Sequence, residues 1–364
     1  MYKKIRGILG KKRKILYAVL NWGLGHATRS LPVIRRLAFN NDVTILSTGR
    51  SLEFLKAELP DLEFIDHEDY SVRYTKSGFS MIPYMAFQLP KIFLRLKEEQ
   101  KYTEMLVEKY KFDRIVSDNR YGIYSESIPS FFITHQLRFK LPGQLSIFER
   151  FSEYFNKFYF RSYRKIFIPD AEKPPCLSGV LSHDLASIQR TKLVYTGILA
   201  DLDFEIEPVQ SDYLIIVSGP EPQRSIFEEK VRAQSKLLKG KIIIVCGRTE
   251  ERKVGSEDGV TVYSHASRRE LFAMMKGTKT VISRPGYSSV MEIVSMNKKA
   301  LFIPTPGQTE QEYLADYFRE KGYFHSVTQE KMDLATDVIQ AENTVCSLDM
   351  IPNDISGMIN EIEA

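Results

Sequence analysis

The chain has 364 residues, 43% of them hydrophobic and 27% charged, with a formal net charge of +5. That length exceeds what one hydrophobic core usually spans and leaves room for two domains, while the charge is too modest, and recognised modules too absent, for a nucleic-acid binder. Cys176, Cys246 and Cys346 are widely separated, lack metal-ligand spacing and cannot all pair, which points to reduced thiols in a reducing, cytoplasmic compartment and to no metal site; nor does any apolar run approach the ~18 residues of a membrane span.

The basic residues Lys3, Lys4, Arg6, Lys11, Lys12, Arg13 and Lys14 precede the apolar run 15–20. This imitates a secretory signal, but the run is short and ends in Asn21-Trp22-Gly23 rather than in a small-residue cleavage site. It reads as a buried parallel strand with a basic overhang, which either touches anionic lipid or stays solvated. Then come Leu24-Gly25-His26-Ala27-Thr28-Arg29-Ser30 and an amphipathic run over 31–39. The glycines permit a tight turn and close approach of backbone to a ligand, and the spacing is not that of the dinucleotide fingerprint. A lone histidine is more often structural than functional. At the carboxyl end of a first parallel strand, where open α/β sheets bind ligands, His26 is nonetheless a functional candidate.

Further apolar runs at 43–47, 63–65, 114–117, 130–134 and 165–169 alternate with helical stretches, the signature of a parallel sheet with crossover helices. Asp118 follows one of them and should reach the same sheet edge as His26; pairing with His26 and capping of a following helix are both open to it. The segment 137–167 interleaves aromatic and basic residues. On a helix, Arg150, Lys157, Arg161 and Arg164 would share one face and Phe148, Phe151, Phe155 and Phe158 another, as in an interfacial membrane helix. Packing of those rings in the core, with a solvated basic face, is the alternative. A second aromatic stretch at 84–95 could add to the first.

An acidic, aperiodic stretch at 199–210 reads as a linker, giving domains over 1–198 and 211–345 and a helical tail within 346–364. Beyond the linker, runs at 213–218, 241–246, 260–263, 280–283 and 300–303 restart the alternation. The loop Ser218-Gly219-Pro220-Glu221-Pro222-Gln223-Arg224 follows the first of these, and His265 follows the third. The most telling stretch is Ser283-Arg284-Pro285-Gly286-Tyr287-Ser288-Ser289-Val290-Met291-Glu292, a strand, a small-residue turn and a helix start with a carboxylate inside it. Free N–H groups and the positive end of the helix dipole make such a start an anion site. After the next strand, Pro304 to Asp316 contains a loop and a helix start bearing Gln311 and Glu312.

Taken together, 283–292 and 304–316 resemble the donor half of the MurG-like glycosyltransferases, and Gly23-Leu24-Gly25-His26 with a basic residue three positions later resembles their first loop. The resemblance implies an α/β GT-B fold: two facing Rossmann-like domains with parallel sheets and a cleft between them, the tail crossing back onto the first domain. It also implies that Glu292 holds the ribose of a UDP-sugar, that Gln311 and Glu312 contact the sugar, and that the 218–224 loop corresponds to the diphosphate loop, despite its two prolines. This chain carries Glu312 where the GlcNAc-transferring members have a second Gln, which leaves the donor sugar open. Asp201-Leu202-Asp203 has the Asp-x-Asp form of metal-dependent glycosyltransferases, but that motif belongs to the single-domain class and should follow a buried strand, so no metal is expected. The leaving diphosphate would instead meet helix amino termini and nearby donors: Gly25, Ser218, Gly219, Arg224, Arg284, Gly286, Ser288 and Ser289, with His265 near the base.

An O-glycosyl transfer needs one general base. His26, with a free pKa of about 6.5, suits it if Asp118 orients the ring. The expectation is an inverting, metal-independent, cofactor-free transfer from a UDP-sugar, the donor being a substrate, to a hydroxyl acceptor. If the aromatic–basic segment meets the inner face of a membrane, that acceptor is a lipid-linked sugar or glycolipid. A UDP-sugar 2-epimerase or hydrolase of the same fold, and a non-catalytic nucleotide-sugar binder, are the other readings.

Overall fold

The computed structural model describes residues 12–69, 81–141, 143, 146, 149–201, 205–248, 252–257, 259–344, 348 and 351–364, with the backbone alone for 81–90 and 257. Phe148, Leu202, Asp203, Cys346 and the basic residues before Lys12 lie outside the described residues or side chains.

The amino-terminal sheet contains β1 (Lys14–Val19), β2 (Asp42–Ser47), β3 (Glu63–Asp66), β4 (Arg114–Asp118), β5 (Ser130–Ile133), β6 (Lys165–Ile168) and β7 (Leu193–Tyr195). Its order is β3-β2-β1-β4-β5-β6-β7, and every pairing is parallel. The cause is legible in β1, where Ile15 to Val19 are all buried: a continuous apolar run suits a strand covered on both faces. The crossovers include α1 (Gly25–Ala38), α2 (Gly49–Glu58), α3 (Met81–Tyr110) and α4 (Glu149–Phe160). Helix α1 begins six residues before the amphipathic run expected at 31–39. Its first turn holds Gly25, His26 and Thr28, all part-buried and none of them aliphatic, so the apolar period shows only farther along.

The second sheet contains β8 (Ser211–Ile216), β9 (Ile242–Val245), β10 (Val254–Glu257), β11 (Val260–Tyr263), β12 (Thr278–Ser283), β13 (Lys299–Phe302) and β14 (His325–Ser326), with helices α5 (Gln223–Ser235), α6 (Arg268–Gly277), α7 (Tyr287–Ser295), α8 (Thr309–Glu320) and α9 (Leu334–Asn343). Its order is β10-β11-β9-β8-β12-β13-β14, parallel except for the β10–β11 pair. The sequence expectations lacked β7, β10 and β14. These are three of the four outer strands of the two sheets, two to four residues long, and their extended form comes from pairing with a neighbour.

The two domains share one apolar cluster, to which α1 contributes Leu31 and Ile34 and α7 contributes Tyr287 and Val290. Helix α10 (Ser356–Glu363) closes the chain against the amino-terminal domain. Asn41 donates to the Glu363 carboxylate at 2.7 Å, and Arg114 to the Ile362 carbonyl at 3.2 Å. Where the chain leaves the first domain, Gly197 has φ +72° and any Cβ there would collide with the Pro352 carbonyl, so only glycine passes. Asp201 is buried and ion-paired with Arg35 of α1, which also meets Glu58 at 2.8 Å.

Helix α4 does not divide into the expected opposed aromatic and basic faces. Phe155 turns inward against Tyr121 and Tyr159, whereas Phe151, Tyr154 and Phe158 are exposed alongside Arg150. Among the described residues no helix is long and apolar enough to cross a membrane.

Candidate active site in the interdomain cleft

The register Val19↔Asp118 brings the carboxyl ends of β1 and β4 side by side. The first turn of α1 therefore sits over the end of β4, and His26 Nδ1 lies 2.7 Å from Asp118 Oδ1. The same Nδ1 lies 3.0 Å from Arg29 Nη2; in the tautomer that places the proton on Nδ1, donated to the shorter Asp118 contact, Nε2 is the basic nitrogen. No described residue hydrogen-bonds Nε2. Asp118 is fully buried and caps no helix; it also accepts from Arg29 Nε at 2.8 Å and Ser30 Oγ at 3.0 Å.

Arg29 is the hub. Its Nη2 donates to the same Asp118 oxygen that His26 uses, and its Nη1 donates to His135 Nδ1 at 3.0 Å. An arginine has no acceptor, so His135 Nδ1 must accept, and His135 Nε2–H donates to Glu310 Oε1 at 2.9 Å. Gln136 donates to the other Glu310 oxygen. Since Glu310 belongs to α8, the chain Asp118–Arg29–His135–Glu310 joins the two domains. The His135 ring also stacks on Tyr287 of α7 at 4.0 Å, and the Tyr287 hydroxyl donates to the Pro169 carbonyl.

These contacts set the charges. Burial and the neighbouring Arg29 cation lower the His26 pKa below its usual value, more than the Asp118 charge raises it, so the ring is neutral near pH 7. Burial would raise the Asp118 carboxyl, but the Arg29 and His26 contacts reverse this and hold it well below the ordinary range. The result is an ionised carboxylate beside a neutral imidazole.

Across the cleft, the turn after β12 opens α7. Ser288 Oγ donates to the Gly25 carbonyl at 2.8 Å, so α1 and α7 meet at their amino ends. Gly286 is the N-cap and no side chain caps the helix, which leaves Ser288 and Ser289 on a turn with free main-chain donors. Glu292, one turn farther in, lies 3.4 Å from Arg268. Burial raises its pKa, partly offset by Arg268 and reinforced by the Asp201 charge. Ser218 and Gly219 are exposed at the end of β8, and Gly219, at φ +114°, lies against Thr305. His265 is half-buried in the loop between β11 and α6.

Other candidates are engaged within their own domain. Arg284 is 1% exposed, lies 4.0 Å above the Phe227 ring and donates to the Ile303 and Pro304 carbonyls at 2.9 Å, bracing the turn rather than reaching outward. Arg224 donates to the Cys246 carbonyl and pairs with Glu221 and Glu228. Gln311 accepts from the Thr305 N–H at 2.9 Å and Glu312 from the Gly307 N–H at 2.8 Å; both shape the 304–308 loop. Glu310, adjacent in sequence to the named pair, crosses to the other domain, as do Thr309, Tyr313 and Tyr317 of the same helix through the Lys140 carbonyl, the Val180 N–H and the Cys176 carbonyl. His135 could have been found by the rule that flagged His26, since it follows β5 at the same sheet edge. Glu310 has no such signal.

Two cavities adjoin this region. One of about 490 Å³ lies at the ends of β2 and β3 and is lined by Thr48, Asp66, His67, Arg95 and Glu99, next to the loop where Asn21 N–H donates to Asp69. The other, about 900 Å³, lies between α8 and the 172–195 segment, lined by Tyr195, Tyr313 and Tyr317; His26, Asp118 and Glu292 do not line it.

Comparison with known proteins agrees with the fold. Residues 214–345 match the glycosyltransferase family 28 C-terminal domain, and residues 13–126 match glycosyl transferase family 1. The chain has the GT-B fold and is similar to the MurG-like glycosyltransferases. Over 140 residues it is 26% identical to the UDP-N-acetylglucosamine–N-acetylmuramyl-(pentapeptide) pyrophosphoryl-undecaprenol N-acetylglucosamine transferase of Sulfurihydrogenibium sp. (strain YO3AOP1), an alignment covering 38% of this chain and 39% of that enzyme. Over 335 residues it is 26% identical to an uncharacterized glycosyltransferase of Methanosarcina acetivorans, covering 85% and 84% of the two chains. The crystal structure of Acinetobacter baumannii MurG superposes with a TM-score of 0.55 at 14% identity, covering 96% of this chain and 99% of that one.

Proposed function

We propose that this glycosyltransferase moves a sugar from a UDP-sugar to a hydroxyl acceptor by a single inverting displacement, with His26 as general base. The observation that carries the reading is the His26–Asp118 pair at 2.7 Å, with the first turns of α1 and α7 in contact beside it; in the tautomer this pair favours, Nε2 is unprotonated. The acceptor hydroxyl gives its proton to His26 Nε2 as its oxygen bonds the anomeric carbon. The bond from that carbon to the diphosphate breaks, and UDP leaves with the electron pair. Attack from the face opposite the leaving group converts an α-linked donor into a β-linked product. Asp118 stabilises the imidazolium, the electrostatic help such a base requires.

UDP would lie on the carboxyl-terminal domain. The donors at Gly286, Ser288 and Ser289 and the loop at Ser218 and Gly219 would meet the diphosphate, so that main-chain amides, not a divalent cation, hold the leaving charge. Glu292 would accept from the ribose hydroxyls, and Glu310 would exchange its His135 contact for the sugar. The UDP donor is supported by the likeness to the Sulfurihydrogenibium transferase, which is named for UDP-N-acetylglucosamine and a pyrophosphoryl-undecaprenol-linked sugar. We extend the reading to a lipid-linked acceptor entering by the cavity at the ends of β2 and β3. The buried free thiols Cys176 and Cys246 suit a cytoplasmic setting.

The test is a thermal-shift screen with UDP-, GDP-, TDP- and CMP-linked sugars, followed by UDP release with a lipid extract as acceptor. A ligand held only by the folded state at a hundred times its Kd stabilises by about 2.7 kcal/mol. The reading expects a selective shift with UDP-sugars and acceptor-dependent UDP release that His26→Ala abolishes. Absence of any nucleotide-sugar shift sinks the donor assignment. UDP release that ignores the acceptor favours a hydrolase.

A further inference from the structure

The cavity of about 900 Å³ between α8 and the 172–195 segment takes its walls from both domains. Three tyrosines line it, and each is fixed through its hydroxyl. Tyr195 donates to the Ser182 carbonyl at 2.7 Å, Tyr317 donates to the Cys176 carbonyl at 3.1 Å, and Tyr313 accepts from the Val180 N–H at 2.7 Å. All three are half-buried, so what they leave to a ligand is ring carbon rather than hydroxyl. Their neighbours set the ring planes as well: Tyr313 and Tyr317 stack at 5.9 Å, and Tyr195 stacks on His183 at 5.0 Å. The turn beneath is closely held. Gly179, at φ +50°, packs so near α8 that a Cβ would collide with the Tyr313 hydroxyl, and the buried Asp170 gathers the Leu177 and Ser178 N–H groups at 2.8 Å. Around the rings the wall carries both signs, with Arg190 and Lys321 among its cations and Glu172, Asp184 and Glu320 among its acids.

We propose that this cavity is a second saccharide site, taking an uncharged oligosaccharide at the seam between the domains. A pyranose has apolar C–H faces and a rim of hydroxyls. Tyrosine rings tied down at their polar ends match the faces. Charged side chains of both signs can donate to and accept from the hydroxyls. An anionic ligand would meet the acids of the wall, and a wholly apolar one would leave its charges unpaired. The volume lies near the top of the roughly 300–1,000 Å³ range of small-molecule sites, which favours more than one sugar ring. Rings and turn are already held in place, so little ordering would be lost on binding. The site is separate from the proposed transfer site, because His26, Asp118 and Glu292 do not line it, and the proposal therefore goes beyond that reading. A saccharide lying along α8 and the 172–195 segment would touch both domains, as Tyr313 and Tyr317 already do.

The experiment is a screen of the full chain against an array of neutral and acidic glycans, followed by isothermal titration calorimetry with the neutral oligosaccharide that binds best. Neutral glycans are expected to bind in preference to acidic ones, with an affinity unchanged by His26→Ala or by excess UDP. Tyr195→Ala with Tyr317→Ala should weaken that binding at least ~10-fold. Circular dichroism checks folding. If the ring variant does not fold, Arg190→Ala with Lys321→Ala, two exposed positions on the wall, decides and should weaken binding several-fold. An array on which no neutral glycan binds overturns the proposal, as do folded variants that bind like wild type. Binding that His26→Ala removes, or that UDP displaces, also overturns it, since the saccharide would then occupy the transfer site.

Discussion

The hydroxyl of Ser288 donates to the carbonyl of Gly25 at 2.8 Å, tying the first turn of α7 in one domain to the first turn of α1 in the other. Both helix starts carry proposed donor-site residues, so one hydrogen bond reports whether the two halves of the site are together. Gly25 has no room for a side chain there: a Cβ would stand 3.0 Å from Ser288 Oγ. Gly25→Ala should push the helix starts apart and raise the donor KM several-fold. Because Ser288 Oγ is the atom the methyl meets, adding Ser288→Ala should recover part of the loss. Donor KM for the three variants tests this, and a double variant worse than the single one refutes it.

Removing the base should leave binding intact. General-base contributions run to about 10²–10⁴-fold in rate, so His26→Ala is expected to lower kcat within that range while UDP still raises Tm. Asp118→Asn should fall in the same direction. It also strips Arg29 of its counter-charge, so a lower Tm is expected as well.

The same ring predicts the pH profile. Burial and Arg29 lower the His26 pKa, so its neutral form persists below pH 6.5 before protonation ends catalysis. The acidic limb of kcat/KM should lie below that of a free imidazole. Arg29→Gln removes a cation that lowers the pKa and should move the limb to higher pH. A limb that stays put separates it from His26.

Glu292 is tested by affinity. A hydrogen bond to a charged group contributes about 1.5–3 kcal/mol, so Glu292→Ala should weaken UDP binding by ~10–100-fold. Isothermal titration calorimetry with UDP and with uracil alone separates ribose contact from general disruption: only the UDP value should change strongly.

A stability prediction comes from the buried carboxylate after β6. Asp170 accepts from the Leu177 and Ser178 N–H groups at 2.8 Å and meets His183 Nε2 at 3.2 Å. Burial would lower the His183 pKa, but Asp170 and Cys176 more than offset it, and it is raised to about 9. A raised pKa gives stability that is complete below the unfolded value near pH 6.5 and is lost as pH climbs through about 9. The urea midpoint should therefore fall across that window in the wild type and fall less in His183→Gln.

Much of the architecture could be read from residue order. The apolar runs gave most of the parallel strands because a strand covered on both faces must be apolar throughout, and β7, β10 and β14 escaped because pairing at a sheet edge demands little of composition. Site residues divide in the same way. His26, Asp118 and Glu292 sit at strand ends or helix starts, places that local sequence marks. Arg284 and Gln311 stand in equally well-marked places, yet their side chains turn back to hold their own loops.

What the sequence by itself determined was the α/β plan with two parallel sheets and the sheet edge at which His26 and Asp118 meet, because backbone hydrogen bonding and burial impose periods that composition must obey. Only the tertiary structure decided that Arg29 joins Asp118 to His135, that Glu310 rather than Gln311 or Glu312 meets His135 across the domains, and that the acids of α4 turn inward. Those outcomes depend on which side chains from distant segments meet in a low-dielectric interior. That is fixed by strand order and domain closure, not by any local pattern.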